Sequence, residues 1–303
     1  MNTMAENLDE IAEQYKVVVR DLMKVYKRGQ KEVIALRGVD FEVREGEFVS
    51  IVGPSGSGKS TLLKLLGALD KPTAGTILFD GHSVSILDDR RSMLYRRQKV
   101  GFIWQVGNLV PGLTAFKNVT LPMKLAGAPT KVANERAQML LDTMGLGPRA
   151  NHKPNQMSGG ENQRCAICVA LANNPELLLG DEITGELDTE TTEMVMAALK
   201  KTNEEFGTTV INVTHNPKVA EYADRVLKIR DGLIEGQRHT LYGDITEIDA
   251  KGRMVIPETI RRVAGIGKRV VLRATSEGLL VSPLETGEEN NYNNQSNDNE
   301  SNQ

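Results

Sequence analysis

A glycine-rich run between residues 53 and 61 has the residue types needed to hold a phosphate chain. It fits the pattern G-x-x-x-x-G-K-[ST] in full. Glycines let the backbone wrap closely and aim N–H groups at phosphate oxygens. The lysine of this pattern reaches the β- and γ-phosphates, and the hydroxyl that follows it ligates Mg²⁺. The pattern therefore predicts a nucleotide site made of Gly53, Pro54, Ser55, Gly56, Ser57, Gly58, Lys59, Ser60 and Thr61.

Two further apolar runs end in groups that suit phosphoryl transfer. Residues 177–179 lead into Asp181 and Glu182, and residues 210–213 lead into His215. Phosphoryl transfer mainly needs positioning and charge stabilisation. Asp181 is suited to hold Mg²⁺ through water, Glu182 to polarise the attacking water, and His215 to sense the γ-phosphate. Either strand end alone would be an ordinary polar terminus, but the phosphate loop in the same chain favours the catalytic interpretation.

The apolar runs at residues 48–52, 177–179 and 210–213 predict buried strands that would position these groups. A turn or helix signal follows each run. Such alternation is typical of a largely parallel sheet with helices on its faces, which is an α/β fold. The phosphate loop and both carboxylates would then follow strands of one sheet.

Other segments of the same region have different patterns. Residues 130–144 and 160–172 predict consecutive helices, which we interpret as a helical insertion between strands. Residues 17–25 and 38–43 alternate in the manner of antiparallel strands. An α/β core with an antiparallel sheet and a helical insertion is therefore expected.

Composition excludes several classes of protein. The chain has 303 residues, 40% of them apolar and 25% charged, with a formal net charge of −3. That charge gives no general argument for binding nucleic acid or a membrane surface. Because no apolar run approaches the roughly 18–20 residues needed to span a bilayer, and the acidic first 15 residues do not form a secretory signal, we expect a cytoplasmic protein. Cys165 and Cys168 lack the further ligands a zinc site needs, so we expect two small buried residues.

The run Met157-Ser158-Gly159-Gly160-Glu161-Asn162-Gln163-Arg164 resembles the signature motif of the ABC (ATP-binding cassette) ATPases. Gln105, Asp188 and His215 fall where that family has its other motifs, and the resemblance covers about residues 17–237. It implies the P-loop ATPase fold with an antiparallel β subdomain and a helical signature subdomain. Ile183 departs from the family pattern, which usually has proline after the catalytic glutamate.

The resemblance implies that a second copy of the chain is the first partner. In a head-to-tail dimer, each ATP would lie between the phosphate loop of one copy and Ser158, Gly159, Gly160 and Glu161 of the other. Asp188 resembles the residue whose loop links the two sites. Tyr26 resembles the aromatic residue that stacks on adenine, and the less favoured alternative is an edge-strand aromatic with no such role.

The glutamine-loop region, residues 102–122, resembles that of the macrolide-exporter and lipoprotein-release ATPases. In that group the loop contacts an integral membrane permease, and its glutamine, here Gln105, ligates Mg²⁺. The resemblance implies a subunit that is peripheral on the inner face of the cell membrane. Leu109 and Leu113 would receive a helix of the permease, or would simply belong to the core.

Residues 240–285 are unlike an ABC core and resemble the AbrB-type swapped-hairpin domain, a small β-barrel built by two chains. The resemblance lies in the run from Ile245 to Arg262, with strands expected at 269–274 and 279–283. Seven basic and six acidic residues between 241 and 285 give a net charge of only +1, which favours dimerisation or regulation over DNA binding and leaves DNA as the alternative. A polar extension at residues 1–16 and a disordered tail at 286–303 complete the organisation.

Three functions therefore compete. The first is an ATPase that powers a separate membrane permease. The second is a soluble ABC protein that acts on nucleic acid, which the glutamine-loop region disfavours because no coiled-coil or zinc insertion interrupts it. The third is a regulator that binds ATP without turnover, which the presence of Glu182 and His215 disfavours.

Overall fold

The computed structural model describes residues 11–29, 31–105, 108–185, 187–239, 243–245, 270–275 and 278–283. The chain forms two compact units, residues 1–243 and residues 244–303. Within the described ranges, no helix is both long enough and apolar enough to cross a bilayer.

Both helices and strands occur along the described residues of the two units, and residues 11–14 are helical before the first strand. The strands are β1 (Val17–Arg28), β2 (Lys31–Val43), β3 (Phe48–Val52), β4 (Ala74–Phe79), β5 (His82–Ser83), β6 (Val100–Ile103), β7 (Leu177–Asp181), β8 (Thr209–Thr214), β9 (Arg225–Arg230), β10 (Leu233–His239), β11 (Gly243–Ile245), β12 (Val270–Thr275) and β13 (Gly278–Pro283). The α-helices are α1 (Lys59–Leu66), α2 (Asp89–Lys99), α3 (Ala115–Leu125), α4 (Thr130–Thr143), α5 (Gly159–Leu171), α6 (Thr189–Phe206) and α7 (Pro217–Ala220), with 3₁₀ turns at Gly147–Arg149 and Pro154–Gln156.

In the larger sheet of the first unit, the strand order within residues 48–239 is β10-β9-β3-β8-β7-β6. Strands β9, β3, β8, β7 and β6 are parallel, and β10 is antiparallel to β9. The three predicted buried strands are β3, β7 and β8, which lie side by side. Because the carboxyl ends of parallel strands meet at one edge of a sheet, the segments that follow them converge.

The smaller sheet is antiparallel, with the order β2-β1-β4-β5. The predicted antiparallel strands at 17–25 and 38–43 are confirmed, and both are longer than expected. They form one hairpin that extends to the pair Arg28 and Lys31, with register shifts along its length.

Helix α1 lies between the two sheets, where Leu62, Leu63, Leu65 and Leu66 are buried in a core shared with β3 and β1. A second core joins the other face of the large sheet to α3, α4, α5 and α6. Burying one such leucine contributes about 1.5–3 kcal/mol. The predicted helices at 130–144 and 160–172 are confirmed as α4 and α5, displaced by one residue at most.

In the second unit, β12 and β13 form an antiparallel hairpin near the expected strands 269–274 and 279–283. Their register aligns Val270 with Pro283, Leu272 with Val281 and Ala274 with Leu279. Most of the predicted swapped hairpin, residues 246–262, lies outside the described residues, as do residues 1–10 and 286–303.

Candidate nucleotide site

The loop after β3 turns tightly enough to require its glycines. A side chain at Gly53 would place a Cβ atom 2.1 Å from the carbonyl oxygen of Ile229. Gly58 has a φ of +104°, and a Cβ there would lie 2.6 Å from the carbonyl oxygen of Ala35. The Ser57 hydroxyl is buried and has no hydrogen-bond partner among the described residues. The loop therefore offers a close backbone approach that only glycines permit.

Lys59 begins helix α1, so its charge lies at the positive end of the helix dipole, where the first turn has no acidic residue. The side chain is 7% exposed, and Nζ donates to the carbonyl oxygens of Gly53 at 2.8 Å and Pro54 at 3.0 Å. Nζ also lies 4.0 Å from Oε1 of Glu182. A buried ammonium with a helix N-terminus is suited to bind a polyanion.

Ser60 and Asp181 come from separate elements and meet. The Ser60 hydroxyl donates to Oδ1 of Asp181 at 3.0 Å. Burial raises the pKa of Asp181 above its ordinary value, and the neighbouring charge of Glu182 raises it further. Mg²⁺ usually takes one or two carboxylates together with substrate phosphates. This hydroxyl and carboxylate therefore fit Mg²⁺, and within the described ranges no three His, Cys or carboxylate groups form a larger metal cluster.

Glu182 has a left-handed backbone, with a φ of +50°, which is unusual for a residue with a side chain. Its N–H donates to the carbonyl oxygen of Val213 on β8 at 3.0 Å, and Ile183 beside it is buried. Oε2 lies 2.8 Å from Nδ1 of His215. Glu182 and His215 therefore face each other across the ends of β7 and β8.

Gln105 and Asp188 border this cluster. The Gln105 side chain is exposed and lies beside Gly185, in the turn that follows Glu182. Asp188 caps helix α6 by accepting from the Thr191 N–H at 2.8 Å and the Thr191 hydroxyl at 2.9 Å. The backbone hydrogen bond from Thr191 lowers the pKa of Asp188. Neither residue is bonded into the Lys59–Glu182 cluster by these contacts.

The signature segment forms the start of helix α5. The Ser158 hydroxyl accepts from the Glu161 N–H at 3.2 Å, and Oε2 of Glu161 accepts from the Ser158 N–H at 2.8 Å, which makes a capping box. That backbone hydrogen bond and the Arg149 guanidinium lower the pKa of Glu161. Ser158 and Gly159 are exposed, and Gly160 faces Thr191.

Tyr26 lies on β1 with 36% of its surface exposed. Its hydroxyl donates to Oδ2 of Asp70 at 2.9 Å, and the Lys24 ammonium lies 4.8 Å from the ring centroid. Sequence reasoning missed both partners. The spacing of Lys24, two residues before Tyr26 on one strand face, was a usable signal, whereas Asp70 had none.

Asn118 on helix α3 belongs to the run that carries the glutamine-loop resemblance, but its contacts were not predicted. Its amide accepts from the Val110 N–H at 2.7 Å and donates to the carbonyl oxygens of Val110, Leu113 and Thr114 at 3.0–3.3 Å. This nearly buried side chain therefore shapes the loop after Gln105. Leu109 is partly buried against the helical core, which agrees with the core role that was one of its two predicted roles. Val110 beside it is exposed.

The two cysteines are buried and free, as expected. Burial raises the pKa of Cys165 to about 12 and that of Cys168 well above its usual value. Because the thiolate is the reactive form and the metal ligand, neither thiol is suited to redox or metal chemistry.

Comparison with known proteins agrees with this geometry. Residues 36–185 match the family model described as ABC transporter. An uncharacterised ABC transporter ATP-binding protein of Thermotoga maritima is 51% identical over 226 residues, which cover 74% of this chain and 96% of that protein. The lipoprotein-releasing system ATP-binding protein LolD 2 of Caulobacter vibrioides is 46% identical over 222 residues, covering 73% and 97%.

Among solved structures, the dimeric post-hydrolysis state of the ATP-binding cassette MJ0796, bound to ADP and Pi, matches with a TM-score of 0.70. It is 45% identical, and the match covers 74% of this chain and 98% of that one. Both the relatives and the solved structure are matched over more than two thirds of this chain. The chain therefore belongs to the ABC transporter family and is an ATP-hydrolysing subunit that dimerises.

Proposed function

We propose that this chain is the ATPase subunit of a transporter of the lipoprotein-release and macrolide-export group, and that it drives a separate membrane permease. The observation that carries the proposal is the cluster of Lys59, Ser60, Asp181, Glu182 and His215 at one edge of the parallel sheet. The lipoprotein-release relative supports the choice of group, because it is matched over nearly its whole length.

In this proposal the loop from Gly53 to Thr61 and the Lys59 ammonium bind the β- and γ-phosphates of ATP. Ser60, Asp181 and Gln105 would hold Mg²⁺, with Asp181 acting through water. When bound, Mg²⁺ neutralises charge on the phosphates. The hydrogen bond between Ser60 and Asp181 would give way to ligation of the ion.

Hydrolysis then depends on Glu182. Its carboxylate orients a water molecule for in-line attack on the γ-phosphorus and takes up the proton, so that the β–γ bridging bond breaks and ADP and phosphate form. His215 contacts Oε2 of this carboxylate through Nδ1, which leaves its other ring nitrogen for a γ-phosphate oxygen. The backbone bond from Glu182 to Val213 supports the left-handed conformation that aims the side chain.

A second copy completes the site. Ser158, Gly159, Gly160 and Glu161 begin helix α5, whose exposed N-terminus suits the γ-phosphate of the ATP bound by the other copy. Within one chain Glu161 pairs with Arg149 and Gly160 faces Thr191, and neither partner belongs to the phosphate loop, which is consistent with a role across an interface. Tyr26 would stack on adenine, and the Asp188 loop would link the two sites.

Purification of the affinity-tagged chain from native membranes tests the choice of partner. We expect a permease with several membrane spans to co-purify, which would place the chain peripherally on the inner face of the membrane. Val110→Asp should weaken this association, because the exposed Val110 lies on the loop shaped by Asn118. The matched control is Val132→Asp, at an exposed position on helix α4. Recovery of DNA fragments without a permease would contradict the proposal.

The C-terminal residues 240–285 are proposed to be an AbrB-type unit that tethers two copies. Leu272 on β12 supports a partner, since this apolar side chain is 58% exposed within one chain and an isolated two-stranded hairpin is only marginally stable. Tethering would raise the effective concentration of one ATPase domain for the other.

Deleting residues 240–303 should weaken dimerisation without nucleotide, because that state lacks the ATP that joins the two ATPase domains. Sedimentation of full-length and truncated chains at matched concentrations measures this effect. The truncated chain should still dimerise when ATP is added in the Glu182→Gln background, which controls for its folding. An unchanged sedimentation profile without nucleotide would count against a tether.

A further inference from the structure

Lys24 places a buried positive charge beneath the ring of Tyr26. Nζ donates to Oδ1 of Asp70 at 2.7 Å and to the carbonyl oxygen of Lys71 at 2.6 Å. The same atom lies 4.8 Å from the centroid of the Tyr26 ring. Because an ammonium held over an aromatic face is attracted to it, this contact restrains the ring from one side.

Asp70 restrains the other end of the same ring. Its Oδ2 accepts the Tyr26 hydroxyl at 2.9 Å, and the Thr61 side chain is a further neighbour of that hydroxyl. Burial and the Asp70 carboxylate raise the pKa of Tyr26, so the phenol remains a donor. Burial opposes ionisation of Asp70, but hydrogen bonds from Lys24 and Tyr26 keep the pKa of its carboxyl below the usual value.

A backbone hydrogen bond connects this arrangement to helix α1, which follows the phosphate loop. The Asp70 N–H donates to the carbonyl oxygen of Lys64 in helix α1, the helix that begins at Lys59. Lys24 and Tyr26 belong to β1 of the antiparallel sheet. The contacts of Asp70 therefore join the strand that carries the aromatic ring to the helix that carries the phosphate-binding lysine.

We propose that Lys24 and Asp70 are positioning residues for the nucleobase of ATP. They hold the Tyr26 ring at a set distance from the phosphate loop, with Lys24 on one face, so that the opposite face is presented to a purine. The proposal rests on the role given to Tyr26 above. It predicts that the two residues affect recognition of the base and leave recognition of the phosphate chain intact.

The test compares binding of ATP with binding of inorganic tripolyphosphate, which lacks a base, by calorimetry on the full chain. Base–aromatic stacking is worth about 5- to 140-fold in affinity, and we expect Lys24→Met and Asp70→Asn each to weaken ATP binding about 5-fold. Tripolyphosphate affinity should change less than 2-fold, and the KM for ATP should rise with little change in kcat. Lys24→Arg should restore most of the ATP affinity.

Two variants complete the design. Lys27→Met is the matched control, because its exposed ammonium lies on the same strand and faces Glu32. Tyr26→Phe removes the hydroxyl that Asp70 holds, so its effect and that of Asp70→Asn should be less than additive.

Equal losses of ATP and tripolyphosphate affinity in the Lys24 and Asp70 variants would overturn the proposal, because the residues would then act on the phosphate site or on folding. Unchanged ATP affinity in both variants, alongside weakened binding in Tyr26→Ala, would also overturn it but leave stacking intact. If Tyr26→Ala itself binds ATP normally, the stacking role of Tyr26 fails and the positioning proposal fails with it.

Discussion

Glu182→Gln should abolish steady-state ATP hydrolysis while the protein still binds ATP, and the variant should accumulate as an ATP-bound dimer. The amide keeps the size of the side chain and its place beside His215, but it cannot accept a proton from water. A positioned general base contributes about 100- to 10,000-fold to a rate, so a loss in that range is expected. Phosphate release measures turnover, and sedimentation of the variant without residues 240–303, with and without ATP, detects the ATP-dependent dimer.

Glu204→Gln is the matched control for this experiment. Glu204 is an exposed glutamate on helix α6 whose nearest cation, Lys200, lies 3.9 Å away. Removing the charge of Glu204 should leave the rate of ATP hydrolysis and the ATP-dependent dimerisation at wild-type values. Wild-type turnover by Glu182→Gln would refute the role proposed for Glu182. The contact between Glu182 and His215 would then serve only to hold the ends of β7 and β8 together.

Ser158→Arg should prevent ATP-driven dimerisation while each chain keeps its affinity for ATP. In the proposed dimer the phosphate loop and Lys59 bind the nucleotide from one chain, whereas Ser158 caps the exposed start of helix α5 in the other. A long cationic side chain would obstruct the approach of a second copy. We expect hydrolysis to fall at least about 100-fold, because the oriented N-terminus is an electrostatic group of the kind worth that factor.

Loss of the helix cap is a separate consequence of this substitution, worth about 1 kcal/mol. Asp88→Arg controls for it, because Asp88 caps helix α2 and the substitution adds the same guanidinium. Mixing Ser158→Arg with Lys59→Ala should restore some ATP-driven dimers, since such a pair contains one intact composite site. ATP-dependent dimerisation of Ser158→Arg in a chain that lacks residues 240–303, at wild-type ATP concentrations, would show that the site is confined to one chain.

Local patterns were sufficient to predict much of the first unit. The buried strands at β3, β7 and β8 are short apolar runs, and each is followed within a few residues by a chemical group. Helix α5 starts within one residue of its predicted position, and the structure fixes that start locally, through the capping box of Ser158 and Glu161. Contacts between near neighbours decide such features, so they can be inferred without the rest of the chain.

Other features depend on residues far apart in the chain. Gly53 must be glycine because Ile229 approaches it from β9, and Glu182 has its left-handed backbone because β8 offers the carbonyl group of Val213. Neither approach leaves a trace in the local pattern. The same holds for Asp70, which meets Lys24 across 46 positions of sequence.

The sequence by itself determined the chemistry of this protein, since phosphate binding and phosphoryl transfer need particular side chains at spacings set by a loop or a helix turn. Only the tertiary structure decided how those groups meet: Ser60 on Asp181, Glu182 on His215, and Tyr26 between Lys24 and Asp70. The physical reason is that sheet pairing and core packing bring distant segments together, and the resulting distances of a few ångströms determine which side chains interact.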